Sequence, residues 1–495
     1  MSISKKNVVV IGSGFAGLSA ATHLAHAGYQ VTLLEKNDTP GGRARQFESE
    51  GFVFDMGPSW YWMPDVFETY FGYFGKKVSD YYDLKRLSPS YTVVFGENDF
   101  MEIPANLEEF KGLLESLEPG VGPKLDEFLK QAAYKYKVGI EDLVYKPSRS
   151  LTEFTSPKLL IDVVRMDVFQ SMSKHVRKFF KHEKIIRLME FPVLFLGGTA
   201  DNIPALYSLM NYADIALGTW YPMGGMFKIV EGMISLAEEK GVKFRLGAEV
   251  DHINVTNGIA RNVVLKNGEK IETDILVAGA DYHHVESVLL APEYRNYDAN
   301  YWDKRVMAPS SLLFYLGVDK KIENVTHHCL FFDEQMGPHA DAIYTHPRWP
   351  ERPLFYLSAA SKTDPSVAPE GMENLVILIP LAPDLEDGEE VREKYYHMVM
   401  DRLEKLTGQE IRSHVIYKRS YAHSDFKADY HAFKGNAYGL ANTLLQTAIL
   451  KPSLKNKKVK NLYYTGQLTV PGPGVPPSLI SGHVVAREVV KENKL

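Results

Sequence analysis

The sequence predicts an α/β protein: a Rossmann-like parallel sheet assembled from separated pieces of chain and completed by a β-meander, with a large α+β region inserted between the pieces. Three observations predict it. A strand, a glycine turn and a helix open the chain; two Asn-Gly pairs punctuate Val/Ile/Leu-rich runs between 240 and 281; and a second strand-then-glycine pattern lies near 461–482.

Asn7–Ile11 (NVVVI) reads as a buried parallel strand, Gly12-Ser13-Gly14-Phe15-Ala16-Gly17 follows, and Leu18–Ala27 continues as a helix ending at Gly28. The glycines interrupt the apolar run and reject a signal peptide. A second strand, Gln30–Leu34, ends in Glu35, 23 positions after the first glycine, close to the spacing of a dinucleotide fingerprint. Gly12 makes the tight turn, Gly14 lets backbone approach a pyrophosphate, and Gly17 lets helix and strand pack closely. Glu35 is placed to accept hydrogen bonds from a ribose. Pro40-Gly41-Gly42-Arg43-Ala44-Arg45 comes next, then Phe54-Asp55-Met56-Gly57-Pro58-Ser59. Paired glycines followed by arginine suit a backbone nest with a cation around a second phosphate, with Arg43 as its partner.

Asn257-Gly258 and Asn267-Gly268 are strong hairpin signals, because both turn residues need positive φ. They divide Glu249–Val255, Ile259–Leu265 and Lys270–Glu272 into an antiparallel meander that feeds a buried strand, Asp274–Ala278. A meander where a nicotinamide-binding domain would carry a helix points to a flavin-binding variant. Near the end, Asn461–Thr465 runs into Gly466, and a Gly/Pro-dense loop hands over to a helix from about Pro477. The positive end of that helix would stabilise negative charge on a flavin that accepts a hydride.

The expected division is therefore a discontinuous cofactor domain of residues 1–80, 223–290 and 455–495, with a substrate region of 81–222 and 291–454. Of 495 residues, 45% are hydrophobic, and the aromatic share leans on 28 Tyr and 25 Phe, so a pocket here would have flat apolar walls. A net charge of −6 is too acidic for a protein that grips nucleic acid. One cysteine, Cys329, excludes an intramolecular disulfide and a Cys-rich metal site, and fits a reducing, cytoplasmic setting. No apolar run approaches the ~18 residues of a spanning helix; the longest is Phe191–Leu196.

Between Lys146 and Arg187, ten Lys/Arg face four Asp/Glu, and Phe169, Met172, Val176 and Phe179/Phe180 share one helical face. Such a basic amphipathic segment, within 146–190, reads either as a peripheral membrane contact or as a helix with a core face and solvated lysines.

Together the segments VVVIGSGFAGLSAATHLAHAGYQVTLLEK, PGGRARQFESEGFVFDMGPS, WYPMGGM and NLYYTGQLTVPGPGVPPSLISG resemble the bacterial-type phytoene desaturases and other carotenoid desaturases, a branch of the FAD-dependent amine oxidase-like superfamily. Their order and spacing extend over nearly the whole chain. The resemblance implies FAD, held by Gly12, Gly14, Phe15, Ala16, Gly17, Glu35, Lys36, Gly41, Gly42, Arg43, Gly57, Pro58, Ser59, Val250, Gly466, Gly474 and Val475, with Gly224-Gly225 near the flavin ring. Gln467 stands where many relatives carry an acidic residue. The implied reaction removes a hydride and a proton from an allylic CH2–CH2 pair of a hydrophobic carotenoid, first of all phytoene. Later carotenoids desaturated at 3,4, of the gamma-carotene or 1-hydroxy type, are the alternative. Oxygen or a quinone is the expected electron acceptor. Trp60, Trp62, Trp220 and Tyr221 are candidate tunnel walls, and Glu153 is the candidate base. An amine oxidase, a carotenoid isomerase and a flavin-free lipid escort on the same fold are the competing readings.

Overall fold

The computed structural model describes residues 6–155 and 165–493; the side chains of Glu141, Leu151 and Phe195 lie outside that description. Its first sheet is parallel, in the order Leu462–Tyr464, Ile275–Ala278, Asn7–Ile11, Gln30–Leu34, Lys243–Arg245. Alternation along the first strand divides it between two cores. Val8 and Val10 pack with Leu18, Leu24 and Leu479 of the helices on one face, while Val9 and Ile11 pack with Ile253, Val263 and Leu265 of the meander on the other.

The meander comprises Val250–Thr256, Ile259–Leu265 and Lys270–Glu272, and Asn257 and Gly258 turn it with φ of 54° and 71°. The first helix runs Phe15–His26 and the last Val475–Glu492, each starting earlier than the sequence reading placed it. Pro476 and Pro477 occupy the first turn of the last helix, where a missing N–H costs nothing. These two helices pack backbone to backbone: a Cβ on Gly482 would lie 2.4 Å from the Ala16 carbonyl oxygen, and one on Gly17 only 1.9 Å from that of Gly12.

A seven-stranded sheet, ordered Val415–Tyr421, Ser310–Val318, Glu373–Leu381, Phe355–Ser358, His328–Phe331, Tyr91–Gly96, Asp99–Ile103, forms the second body. Its strands again serve two faces. Phe314, Leu316, Ile377 and Leu357 pack with the helix Glu389–Thr407, whereas Leu330, Tyr356 and Leu378 turn towards a layer of helices that includes Gly122–Tyr136, Met172–Phe179 and Glu183–Glu190.

That helical layer corrects the membrane reading of the amphipathic segment. Met172, Val176 and Phe180 are fully buried against Phe128 and Leu129, so the apolar stripe is a core face. A stripe of this kind carries the same 3.6-residue period whether lipid or protein covers it. Several of the cations are also engaged: Arg177 pairs with Glu190, Lys184 with Asp99 at 2.5 Å, and Arg187 donates to the carbonyls of Phe332 and Glu334. Phe169 alone of the stripe is open, at 82% exposure. Lys158 and Asp162 of the same segment lie outside the described residues. No helix among the described residues is long and apolar enough to cross a membrane.

Because Met172 is a core residue, Met172→Ala is expected to lower stability by about 2–5 kcal/mol. Urea unfolding monitored by circular dichroism reads this, and an unchanged midpoint would return the stripe to the surface.

Candidate functional site

One cavity of about 730 Å3 joins the glycine turn of the parallel sheet to the inner face of the larger sheet. At the first end, Gly12–Ala16, Glu35–Asn37, Gly41–Ala44, Gly57–Ser59 and Ala248–Val250 share the wall with Gly466 and Pro471–Ser478. Both helix N-termini, at Gly14 and Gly474, therefore open on the same space. A Cβ on Gly14 would meet no atom within 4 Å, so backbone there is free to approach a ligand. Gly42 seats against the Gly14 Cα, and Gly41 N–H donates to Ser13 O at 3.1 Å, which locks the second glycine pair onto the first turn.

The Glu35 carboxylate accepts from Ser13 N–H (3.0 Å) and Ser13 Oγ (2.6 Å) on one oxygen and from Asn37 N–H and Asn37 Nδ2 (3.0 Å each) on the other. The hydroxyl and amide donors can rotate aside for ribose hydroxyls, so the site fits a dinucleotide only by exchanging partners. Arg43 donates to Asn436 O, lies 5.1 Å over the Tyr430 ring, and leaves its buried Nε–H without a partner. Burial lowers its pKa, opposed chiefly by Asp281. A buried, under-satisfied guanidinium on this wall suits a phosphate. Lys36 donates its Nζ to Ala428 O and lines the same end. Sequence reasoning missed the stacked pair His284 and His431, 3.9 Å apart at 8°, which adds a flat wall next to Glu249. Gln467 Nε2 donates to Asn436 Oδ1 rather than offering a charge.

The other end is apolar and aromatic, walled by Trp60, Trp62, Phe191, Leu330, Phe332 and Tyr356. Among the described residues no Asp or Glu lines this half; Glu35, Glu249, Asp281 and Asp429 all stand at the dinucleotide end.

Several expected residues lie elsewhere. Glu153 accepts from the backbone N–H groups of Ser148, Arg149 and Ser150, capping its own short 3-10 turn, and faces a different surface cavity with Arg487. A carboxylate so occupied is a loop anchor. Trp220 packs on the helical core with its Nε1 donating to Leu217 O, and Tyr221 borders a separate small cavity with Asp55 and His327. They are neighbours in the strand Trp220–Pro222, so their side chains take opposite faces, and neither lines the tunnel. Gly224-Gly225 is outside the main cavity as well: Gly224 N–H donates to Asp364, and Asp55 accepts from Met226 and Phe227 N–H.

The sequence pattern of the flavin containing amine oxidoreductase family matches residues 15–490. The carotenoid 3,4-desaturase of Haloarcula japonica is 41% identical over 492 residues, covering 99% of each chain. The zeta-carotene-forming phytoene desaturase of Myxococcus xanthus is 32% identical, over 98% of this chain and 94% of its own. The chain belongs to the carotenoid desaturases. An oxidoreductase structure from Methanosarcina mazei, 17% identical with a TM-score of 0.62 over 97% of this chain and all of its own, shares the fold. The desaturase is an FAD-dependent oxidoreductase acting on CH–CH groups.

One buried cation of the desaturase stands close to the Gly/Pro loop. Lys451 is 5% exposed, its Nζ has no hydrogen-bond partner, and a Cβ on Gly472 would lie 3.2 Å from it and 2.9 Å from Asn442 Oδ1, which is also unpartnered. Burial pulls the Lys451 pKa down to about 7. The unfolded chain holds this proton up to about pH 10.4, so stability of the FAD-free protein should rise with pH between about 7 and about 10. Lys451→Met is expected to flatten that rise and raise Tm below pH 7. Thermal melts across this range check it, and parallel profiles for the two proteins would refute it.

Proposed function

We propose that this desaturase acts on a late carotenoid, introducing a 3,4 double bond into an already conjugated chain at the cytoplasmic surface of a membrane. The reading rests on the apolar half of the cavity, which offers a polyene shape and aromatic contact and offers an amine no carboxylate. Identity of 41% to a carotenoid 3,4-desaturase against 32% to a phytoene desaturase favours the later substrate.

FAD, when bound, supplies the two-electron acceptor for the allylic hydride. The chain supplies the rest. Trp60, Trp62, Phe191 and Phe332 hold the polyene and exclude water, and the N-terminus of Val475–Glu492 favours negative charge on that side of the cavity. Loss of hydride leaves a cation delocalised over the neighbouring double bonds, which an apolar aromatic wall tolerates. Oxygen or a membrane quinone takes the electrons onward.

Exposed apolar side chains support a membrane-facing mouth. Phe169 follows the lining residue Val168, and Leu445 (76% exposed) and Leu450 flank the lining residues Thr447 and Ala448. Substrate dissolved in lipid could then pass into the chamber without crossing water.

Two measurements test these readings. Expression in cells that accumulate lycopene or its hydroxylated derivatives is expected to give pigments with one further conjugated double bond at 3,4, and expression in phytoene-accumulating cells no colour. Colour from phytoene alone would assign the earlier step instead. The double variant Phe169→Ser/Leu445→Ser is expected to sediment less with anionic liposomes than the wild type while keeping its Tm; equal sedimentation would remove the mouth from the membrane.

A further inference from the structure

Desaturation releases a proton as well as a hydride, and the carboxylate expected to receive it, Glu153, is turned away from the cavity. We infer that Tyr356 is the proton acceptor, with His328 behind it as the group that takes the phenol's own proton. This rests on the desaturase reading above and adds a named acid–base pair to it.

The placement follows from strand geometry. His328–Phe331 and Phe355–Ser358 are antiparallel neighbours, with Leu330 opposite Tyr356 and His328 opposite Ser358. Tyr356 points into the cavity, and its oxygen lies 2.6 Å from His328 Nδ1. It also meets the hydroxyls of Ser59 and Ser358. Ser59 ends the Gly57-Pro58-Ser59 turn at the dinucleotide end, so the Tyr356 oxygen sits where that end meets the polyene chamber. Trp60, another wall residue, stacks on the His328 ring at 4.2 Å and 12°, fixing its plane. His328 is fully buried, and burial holds its pKa well below the usual imidazole value. It is therefore neutral at rest.

What separates Tyr356 from the wall tyrosines Tyr344 and Tyr207 is the partner behind it. Tyr344 donates to the carbonyl of Leu194, and Tyr207 meets Thr447; neither a carbonyl nor a threonine hydroxyl retains a proton near neutrality. An imidazole does. A buried carboxylate of this region, Asp214, accepts from Tyr91 at 2.7 Å and from Thr219, which in turn accepts from Trp62 Nε1, so it orients the wall from behind.

FAD, when bound, would supply the acceptor for the hydride, with both electrons, of the substrate's first allylic C–H. The C–H on the adjacent carbon then breaks, its electron pair forms the new C=C bond, and its proton bonds to the Tyr356 oxygen while the phenol proton moves to His328 Nδ1. When product leaves, the imidazolium, disfavoured by burial, returns that proton to Tyr356, which yields one to water. A neutral phenol is basic enough because a C–H beside a carbocation is strongly acidic. Tyr356 is the catalytic residue and His328 a positioning and proton-storing one.

The test uses the FAD-loaded full chain with the carotenoid it converts. Tyr356→Phe is expected to lower kcat about 100-fold with KM, Tm and the flavin spectrum unchanged, and to abolish a solvent deuterium isotope effect present in the wild type. His328→Asn, which keeps a hydrogen bond to the phenol but cannot store a proton, should lower kcat comparably. Without substrate, the nitrogen NMR resonance of His328 Nδ1 should shift in Tyr356→Phe as its donor is lost. If Tyr356→Phe fails to fold or to hold FAD, His328→Asn decides. Wild-type kcat in the variant that folds, with the isotope effect retained, overturns the proton route alone. A wild-type protein that desaturates no carotenoid overturns the functional reading beneath it.

Discussion

The cavity exists because one helix is clamped at backbone distance between a sheet and a second helix. Gly17 leaves room for the Gly12 carbonyl, and Gly482 leaves room for the Ala16 carbonyl; any side chain there would force the elements apart. Ser19 Oγ adds a hydrogen bond to Leu479 O across the same seam. The consequence is directional. With Phe15–His26 held this close to both neighbours, its N-terminus and that of Val475–Glu492 emerge beside each other at the ends of parallel strands, where an open α/β sheet offers its binding crevice. The Arg43 nest, the Glu35 carboxylate and the Gly/Pro loop are all positioned by that seam. The aromatic chamber is built on a separate sheet and inherits its location from the same junction.

Local physics explains how much of this could be read in advance. Asn7–Ile11 and Gln30–Leu34 occur as the sequence indicates, because a glycine turn and an apolar run specify them without distant partners. The hairpin at Asn257-Gly258 is likewise set by the positive φ that those two residues tolerate. The seven-stranded sheet was not legible, since its strands pair residues such as Cys329 and Thr92 that lie far apart in the chain. The amphipathic stripe at 169–180 shows a different limit. Its period specifies that one face must be covered, and the covering is the helix carrying Phe128, a fact of tertiary packing that no periodicity contains.

At the site the division is similar. The dinucleotide end announces itself through glycines, because close backbone approach admits few other residues. The chamber end is built from aromatic and aliphatic side chains indistinguishable in sequence from core, which is why Trp60 and Trp62 line it while Trp220 and Tyr221 do not. His327-His328 carries no motif, and its partner Tyr356 is 28 residues away; only the hairpin register brings them together.

The electrostatics of the walls explain why a carboxylate is absent from the chamber among the described residues. Burial drives the polar groups around it towards neutrality: it pushes Asp214 up to about 7, draws Lys451 down to about 7, and holds His328 uncharged. A carotene brings no charge with which an ionised wall group could pair, so such a group would stay desolvated and unpaired whether or not substrate were bound, at a cost of several kcal/mol. A carboxylate facing the cation formed by hydride loss would in addition be a nucleophile able to trap it. A phenol backed by a neutral imidazole avoids both penalties: it adds no charge to the resting chamber and still provides an oxygen that can receive a proton and pass one on. The same apolarity that lets the protein bind a polyene thus dictates the kind of proton acceptor it can keep beside one.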